Sequence, residues 1–307
     1  MEHINVTDPI GLAMERVKQI LFRPFDLGKW FAIGFCAWLA GLGERGFGGN
    51  FNGNSGRHDG DIHRDFEHAR SYVLENLNWI LPLVIFLFVL AFAIGVLLIW
   101  LNSRGKFMFL NCVALNRSEV VEPWKRFADQ ANSLFWFRLG LALIGLVITV
   151  PFVVFGILLA LPMFRNDSWN VGGVMILIAL FFGMVFISIC FALIRKLTTD
   201  FVVPIMYLRG SRCLAAWKEF RQLLGANFGG FVLYLLFQIV IHLAIGVMVL
   251  AVIVVTCCIA GCFMAIPYIG TVLLLPVSTF TRAYSLYYLA QYGPNYNVFP
   301  PAATVAQ

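Results

Sequence analysis

Residues 79–101, WILPLVIFLFVLAFAIGVLLIWL, contain no charged side chain, and their reading decides the fold class. A helix rises 1.5 Å per residue, so a run of this length covers the roughly 30 Å hydrocarbon core of a bilayer. Four more runs have the same character: Leu139–Met163, Val171–Ile194, Phe231–Cys258 and Cys262–Phe280. A shorter run, Trp30–Gly43, reaches spanning length only if its helix starts near Phe25 and places Asp26 and Lys29 at the headgroups. The expectation is therefore about six transmembrane helices. Composition agrees: 60% of the residues are hydrophobic, 12% are charged, and mean hydropathy is +0.83. Soluble domains carry roughly a quarter charged residues. The runs are continuous rather than alternating, which points to helices and away from a β-barrel.

Three stretches precede these runs in a common pattern. Asp8-Pro9-Ile10 through Val17, Ser118-Glu119-Val120 through Phe127, and Ser211-Arg212-Cys213 through Phe220 each open on a residue type that caps helices, then continue amphipathically. The last two stay in register, Leu115 with Leu208, Ser118 with Ser211, Trp124-Lys125 with Trp217-Lys218, and Phe127 with Phe220. The first fits more loosely through Asp8, Met14 and Val17. The expected architecture is an all-α polytopic membrane domain spanning 1–307, built from three pseudo-repeated units. Each unit is an interfacial helix plus a two-span hairpin: 8–101 with a Gly/Asn-rich external loop at 43–60, then 118–194, then 211–290, with a tail at 291–307. Apolar faces are expected on Ile10, Ala13, Met14, Val17, Ile20 and Leu21, on Val120, Val121, Trp124, Phe127, Ala128 and Ala131, and on Cys213, Ala216, Trp217, Phe220 and Leu224. Trp124 with Lys125 and Trp217 with Lys218 are the expected interfacial anchors, the indole N–H kept wet at the headgroup boundary.

Basic residues alternate by loop. Arg16, Lys18, Arg23 and Lys29 precede the first run; Arg104, Lys106, Arg117, Lys125, Arg126 and Arg138 follow the second; Arg195, Lys196, Arg209, Arg212, Lys218 and Arg221 follow the fourth. The positive-inside rule places both termini in the cytoplasm, so a bacterial inner membrane with N-in, C-in topology is the expected setting. The net charge of +6 is accounted for by these segments and needs no nucleic acid. The polar Met1–Thr7 before Asp8-Pro9 reads as a helix start and not as a cleavable signal.

Signals for chemistry are sparse. The seven cysteines lie in or near the spans, so no disulfide framework is expected, and Cys257-Cys258-x-x-x-Cys262 lacks His or carboxylate partners for a metal. His58, His63 and His68 fall five apart, which turns them by roughly 140° per step on a helix and off any shared face. No phosphate loop, HExxH or GxSxG appears. The expectation is no metal, no cofactor and no enzymatic activity. Ionisable groups within spans are the better search, because burying them in lipid is costly. Tyr234, Gln238 and His242 recur at i, i+4, i+8 and make one polar stripe, for hydrogen bonding between helices or for a path. Arg195, Lys196, Asp200 and Arg282 share one expected depth at the inner boundary, as an ion-pair cluster or as a phosphate-binding headgroup site.

The pattern Asp200-Phe201-x-x-Pro204-Ile205-Met206-Tyr207, then Trp217-Lys218-x-Phe220, then a long apolar run resembles bacterial multi-span families without an assigned activity. These are similar to the membrane domain attached to some glycerophosphodiester phosphodiesterases and to YciC-like inner-membrane proteins. The resemblance carries over no catalytic residue, and its link to phospholipids is an analogy. Two functions are expected from the residues. The first is a non-catalytic protein that organises lipid or a protein partner at the inner surface. The alternative is transport or binding of a lipid or small amphiphile along the stripe of spans five and six.

Overall fold

The computed structural model describes residues 5–43, 76–165, 170–256 and 259–299. The Gly/Asn-rich loop, the three histidines from His58 to His68 and the Cys257-Cys258 pair lie outside the described residues. The described residues are helical almost throughout. In chain order the helices are α1 (Asp8–Val17), α2 (Leu27–Gly41), α3 (Leu77–Leu115), α4 (Val121–Arg126), α5 (Ala128–Arg165), α6 (Val171–Leu197), α7 (Val203–Arg209), α8 (Cys213–Ala226), α9 (Phe228–Val255), α10 (Ile259–Ala265), α11 (Pro267–Leu273) and α12 (Leu275–Ala290). π-helical turns at Lys18–Phe22 and Thr198–Val202 follow α1 and join α6 to α7.

Four segments are long and apolar enough to cross a membrane: Trp79–Leu115, Ala128–Met163, Val171–Arg209 and Phe228–Val255. Each has two unlike ends. In α3, Phe88 is 70% exposed and its neighbours from Leu81 to Val89 are exposed all round, whereas Phe107, Met108, Leu110, Cys112 and Val113 are fully buried. The other long helices repeat this division, with exposure over Val147–Leu158, Phe181–Ile189 and Ile239–Val255 and burial at Leu134, Leu197 and Phe231. The core therefore sits at one end of the molecule, the end richest in basic residues. Its centre is aromatic. Phe201 stacks on Phe220 at 5.3 Å and meets Phe231 and Tyr234 edge-on at 5.0 and 4.9 Å, and Tyr234 lies over Tyr288 at 4.6 Å.

α2 runs antiparallel to the buried half of α3, not beside its exposed half. Asn102 Nδ2 donates to Ala40 O and Leu42 O at 2.7 and 2.6 Å, Cys36 and Cys112 approach to 3.8 Å between sulfurs, and Lys29 Nζ donates to Asn116 Oδ1 at 2.8 Å. Gly105 permits the contact, since a Cβ there would stand 2.5 Å from Leu39 C and Ala40 N. Asp26 caps α2 by accepting from Gly28 N at 2.8 Å. The final apolar run is not one helix. It breaks at Ile266 and Leu274, where Pro267 and Pro276 open new helices, and α11 packs on α2 with Trp30 Nε1 donating to Val272 O at 3.0 Å.

The expected caps do not operate. None of Asp8, Ser118 and Ser211 bonds a helix-start amide with its side chain: α1 begins at Asp8 itself, α4 begins after Val120, and α8 after Arg212. A neighbouring helix does the work for α8, whose Cys213 N–H donates to Ser133 Oγ on α5 at 3.0 Å. The amphipathic faces fare better. Ala13, Val17, Ile20 and Leu21 are buried, as are Cys213, Ala216 and Phe220, but Met14 is half exposed and Val121 is exposed. The second stretch is interrupted at Phe127, which turns in to stack on Phe107 at 5.9 Å.

The segment before α1 meets the end of α12. α1 packs along α12; Asn5 N donates to Gln291 Oε1 and Gln291 Nε2 donates to Asn5 O, both at 2.9 Å, while Tyr284 OH donates to Val6 O at 3.0 Å. Arg16 secures the other side of α1 by donating to Val113 O and Ala114 O at the α3 C-terminus, at 3.1 and 2.5 Å. Burial holds its guanidinium pKa below the ordinary arginine value.

Candidate functional site

The widened turn Thr198–Val202 is the organising element. Thr198 Oγ1 donates to Ile194 O at 2.6 Å and Thr199 Oγ1 donates to Arg195 O at 3.0 Å, while Val203 N–H reaches back five residues to Thr198 O. Hydroxyl back-bonding of this kind loosens an α-helix, and π turns concentrate at functional sites. The turn carries Asp200 into the core, 6% exposed.

Asp200 closes a ring of four side chains. Lys196 Nζ lies 3.0 Å from Asp200 Oδ2, and Tyr234 OH donates to the same oxygen at 3.1 Å. Gln238 Nε2 donates to Tyr234 OH at 2.9 Å, and Lys196 Nζ donates to Gln238 Oε1 at 3.0 Å. Every link has one donor and one acceptor, and the ammonium can only donate, so the amide orientation of Gln238 is fixed by its neighbours. His242 continues the stripe one turn along α9, its Nδ1 2.7 Å from Gln238 O. A carbonyl only accepts, so Nδ1 carries a proton and donates it to Gln238 O.

Two more cations reach the turn. Arg282 Nη1 donates to Thr199 O at 2.6 Å, and Lys106 Nζ from α3 donates to Thr199 Oγ1. Lys106, Arg195, Lys196, Thr199, His242 and Arg282 line a cavity of about 590 Å³ together with the single carboxylate of Asp200. Four cations against one anion leave a formal excess of three positive charges. The same cavity has an apolar side made by Ala192, Ile245 and Val277, at the edge of the exposed halves of α6 and α9. Arg195 also lines a second cavity of about 400 Å³ with Asn102, Arg138 and Phe191, in which Arg138 Nη1 donates to Asn102 Oδ1.

The structure thus brings Tyr234, Gln238, His242, Arg195, Lys196, Asp200 and Arg282 to one place. Asp200 pairs with Lys196 on its own helix turn, and Arg282 bonds the same turn at the backbone of Thr199. The interfacial anchors are different. Trp124 is part of a clamp in which the Arg104 guanidinium lies 4.9 Å from both the Trp100 and Trp124 rings and donates to Trp124 O at 2.9 Å. Trp217 packs on Phe137 and Phe220, and its Nε1 is buried without a hydrogen-bond partner, so the expectation of a wet indole N–H is corrected there. Lys125 and Lys218 stay exposed. Sequence reasoning missed Lys106 and Thr199 as site members. The signal available was Asn102 and Lys106 one turn apart, directly after an apolar run.

Among the described residues, fold and site define a helical protein with four helices long and apolar enough for a membrane and a basic, polar-lined cavity at their buried ends. A family model matches residues 4–275, and the chain belongs to that family, DUF7544, a family of unknown function. No curated protein and no solved structure matches the chain.

Proposed function

We propose that this chain is a non-catalytic integral protein of a bacterial inner membrane that holds a lipid or small amphiphile at the cytoplasmic boundary. One observation carries the reading: the 590 Å³ cavity sets a charged wall beside an apolar wall that leads onto exposed hydrocarbon-like surface. An amphiphile carries the same two chemistries end to end. The volume falls in the roughly 300–1,000 Å³ range of small-molecule sites. Apolar surface as extensive as that of the four long helices is far beyond what a soluble monomer leaves open to water.

The topology follows from the same features. The segment before α1 and the end of α12 pack together at the basic end, and the positive-inside rule assigns that end to the cytoplasm. In the three-unit reading, α1, α4 and α8 are the surface helices. α2 rises beside the buried half of α3, and the broken segment α10–α12 returns the chain from the exposed end of α9 to the basic end, where α12 packs on α1. The likeness to phosphodiesterase-linked membrane domains, carried by Asp200 to Tyr207, agrees with a phospholipid ligand by analogy.

Native mass spectrometry of the protein released with its surrounding membrane tests the reading. A lipid or small molecule of discrete mass is expected on the wild type and is expected to be lost from His242→Ala, whose ring lines the cavity from an exposed position. A bare protein overturns the reading, and a stable protein partner in place of lipid favours the scaffold function instead.

A further inference from the structure

We infer that the ligand group seated in this cavity is an anionic phosphate, with Arg195 as a direct contact; the inference rests on the amphiphile reading and names the chemistry of the polar end. Asp200, the sole carboxylate of the wall, already accepts from Lys196 and Tyr234 on one oxygen, so the charge balance of the cavity is set by the surplus of cations. Lys106 and Arg282 are buried, at 4% and 7% exposure, and both are fixed to Thr199 of the π turn. Their positive ends are thereby held in place before any ligand arrives. Buried cations held around one turn favour an anion beside them.

Arg195 is placed differently. It is exposed, it lines both this cavity and the smaller one beside it, and among the described residues its guanidinium makes no hydrogen bond or ion pair. A guanidinium offers a planar pair of N–H groups that matches phosphate oxygens, and the surplus of positive charge on the wall favours a phosphate whose headgroup is anionic overall above the zwitterionic phosphatidylcholine. The phosphate can belong to a lipid headgroup or to a free ion; the charge and donor set is the same for both.

The test reconstitutes the full chain in nanodiscs of phosphatidylcholine and phosphatidylglycerol in equal amounts and reads retained lipid by native mass spectrometry. Preferential retention of phosphatidylglycerol, weakened about tenfold in Arg195→Gln and restored toward wild type in Arg195→Lys, is the expected result and identifies a lipid source. In pure phosphatidylcholine discs, saturable binding of inorganic phosphate that Arg195→Gln weakens also supports the inference and identifies a free-ion source. Arg195→Gln is expected to keep the wild-type unfolding temperature, because the side chain has no internal partner to lose. Equal retention of both lipids, indifferent to Arg195→Gln, overturns the anion inference and leaves the amphiphile reading standing. Retention of neither lipid nor phosphate overturns both.

Discussion

Single residues carry unequal weight here. Gly105 has Leu39 and Ala40 backbone atoms where a Cβ would be, so Gly105→Ala must push α2 away from α3. The helix-propensity gain of about 1 kcal/mol is outweighed by overpacking, and a net loss of about 1–2 kcal/mol is expected in the unfolding free energy. Asp200→Asn leaves Lys196 beside a neutral group. Removing one partner of a buried pair costs roughly 3–5 kcal/mol, and the partial exposure of Lys196 lowers this to about 2 kcal/mol. The double substitution Lys196→Met with Asp200→Asn is expected to lose less than Asp200→Asn alone, and a double-mutant cycle on unfolding reads the difference. Burial pushes the Cys213 thiol up to about 12, so it stays protonated and unreactive in neutral and mildly basic solution. Alkylation at pH 8 is expected to spare Cys213 in the folded protein and to modify it after denaturation, as peptide mapping would show. At this scale the stripe Tyr234–Gln238–His242 and the cluster Arg195, Lys196, Asp200 and Arg282 were legible in the sequence, because polar residues are conspicuous in apolar helices. Their closure into one ring was not, since helix spacing says nothing about which faces of two helices meet.

Elements show where periodicity misleads. The match between the Trp124-Lys125 and Trp217-Lys218 stretches predicts two equal surface helices, yet one is broken at Phe127 and the other runs on to Ala226. Stacking on Phe107 draws Phe127 inward and overrides the helical period, a tertiary effect that no local pattern reports. Four of the long apolar runs were legible as helices, but their ends were not, and the fifth, Cys262–Phe280, breaks at Ile266 and Leu274. α3 continues through Asn102, Arg104, Lys106 and Asn111 because its lower half finds partners for these groups in α2, α4, the π turn and α7. Asn116, at φ 57°, ends it in a left-handed conformation that asparagine tolerates. Arg16 then satisfies two of the last carbonyls and places positive charge at the negative helix end. Arg16→Ala is expected to cost about 1–2 kcal/mol and to raise hydrogen exchange around residues 112–116.

At the scale of the whole molecule, α1 and α12 lie side by side. Asn5 and Gln291 exchange two hydrogen bonds, so these two helices are neighbours although they lie far apart in sequence. Asn5→Cys combined with Gln291→Cys is expected to cross-link with a short bifunctional reagent within one chain, detected as a mobility shift that survives dilution. Failure to cross-link would contradict the packing of α1 on α12. The division of each long helix into an exposed and a buried half has a consequence for variation. Across the most apolar stretches of the four long segments almost nothing is buried, so few side chains there are fitted to a particular neighbour, Met163 against Gly173 and Phe152 against Gly183 being exceptions between α5 and α6. Leu, Ile, Val and Phe are interchangeable at such positions so long as the stretch remains apolar. At Phe107, Phe201, Phe220 and Tyr234 they are not, because each ring fills a space shaped by other rings. Random mutagenesis should therefore draw a boundary across the middle of every long helix, with tolerance on one side and intolerance on the other.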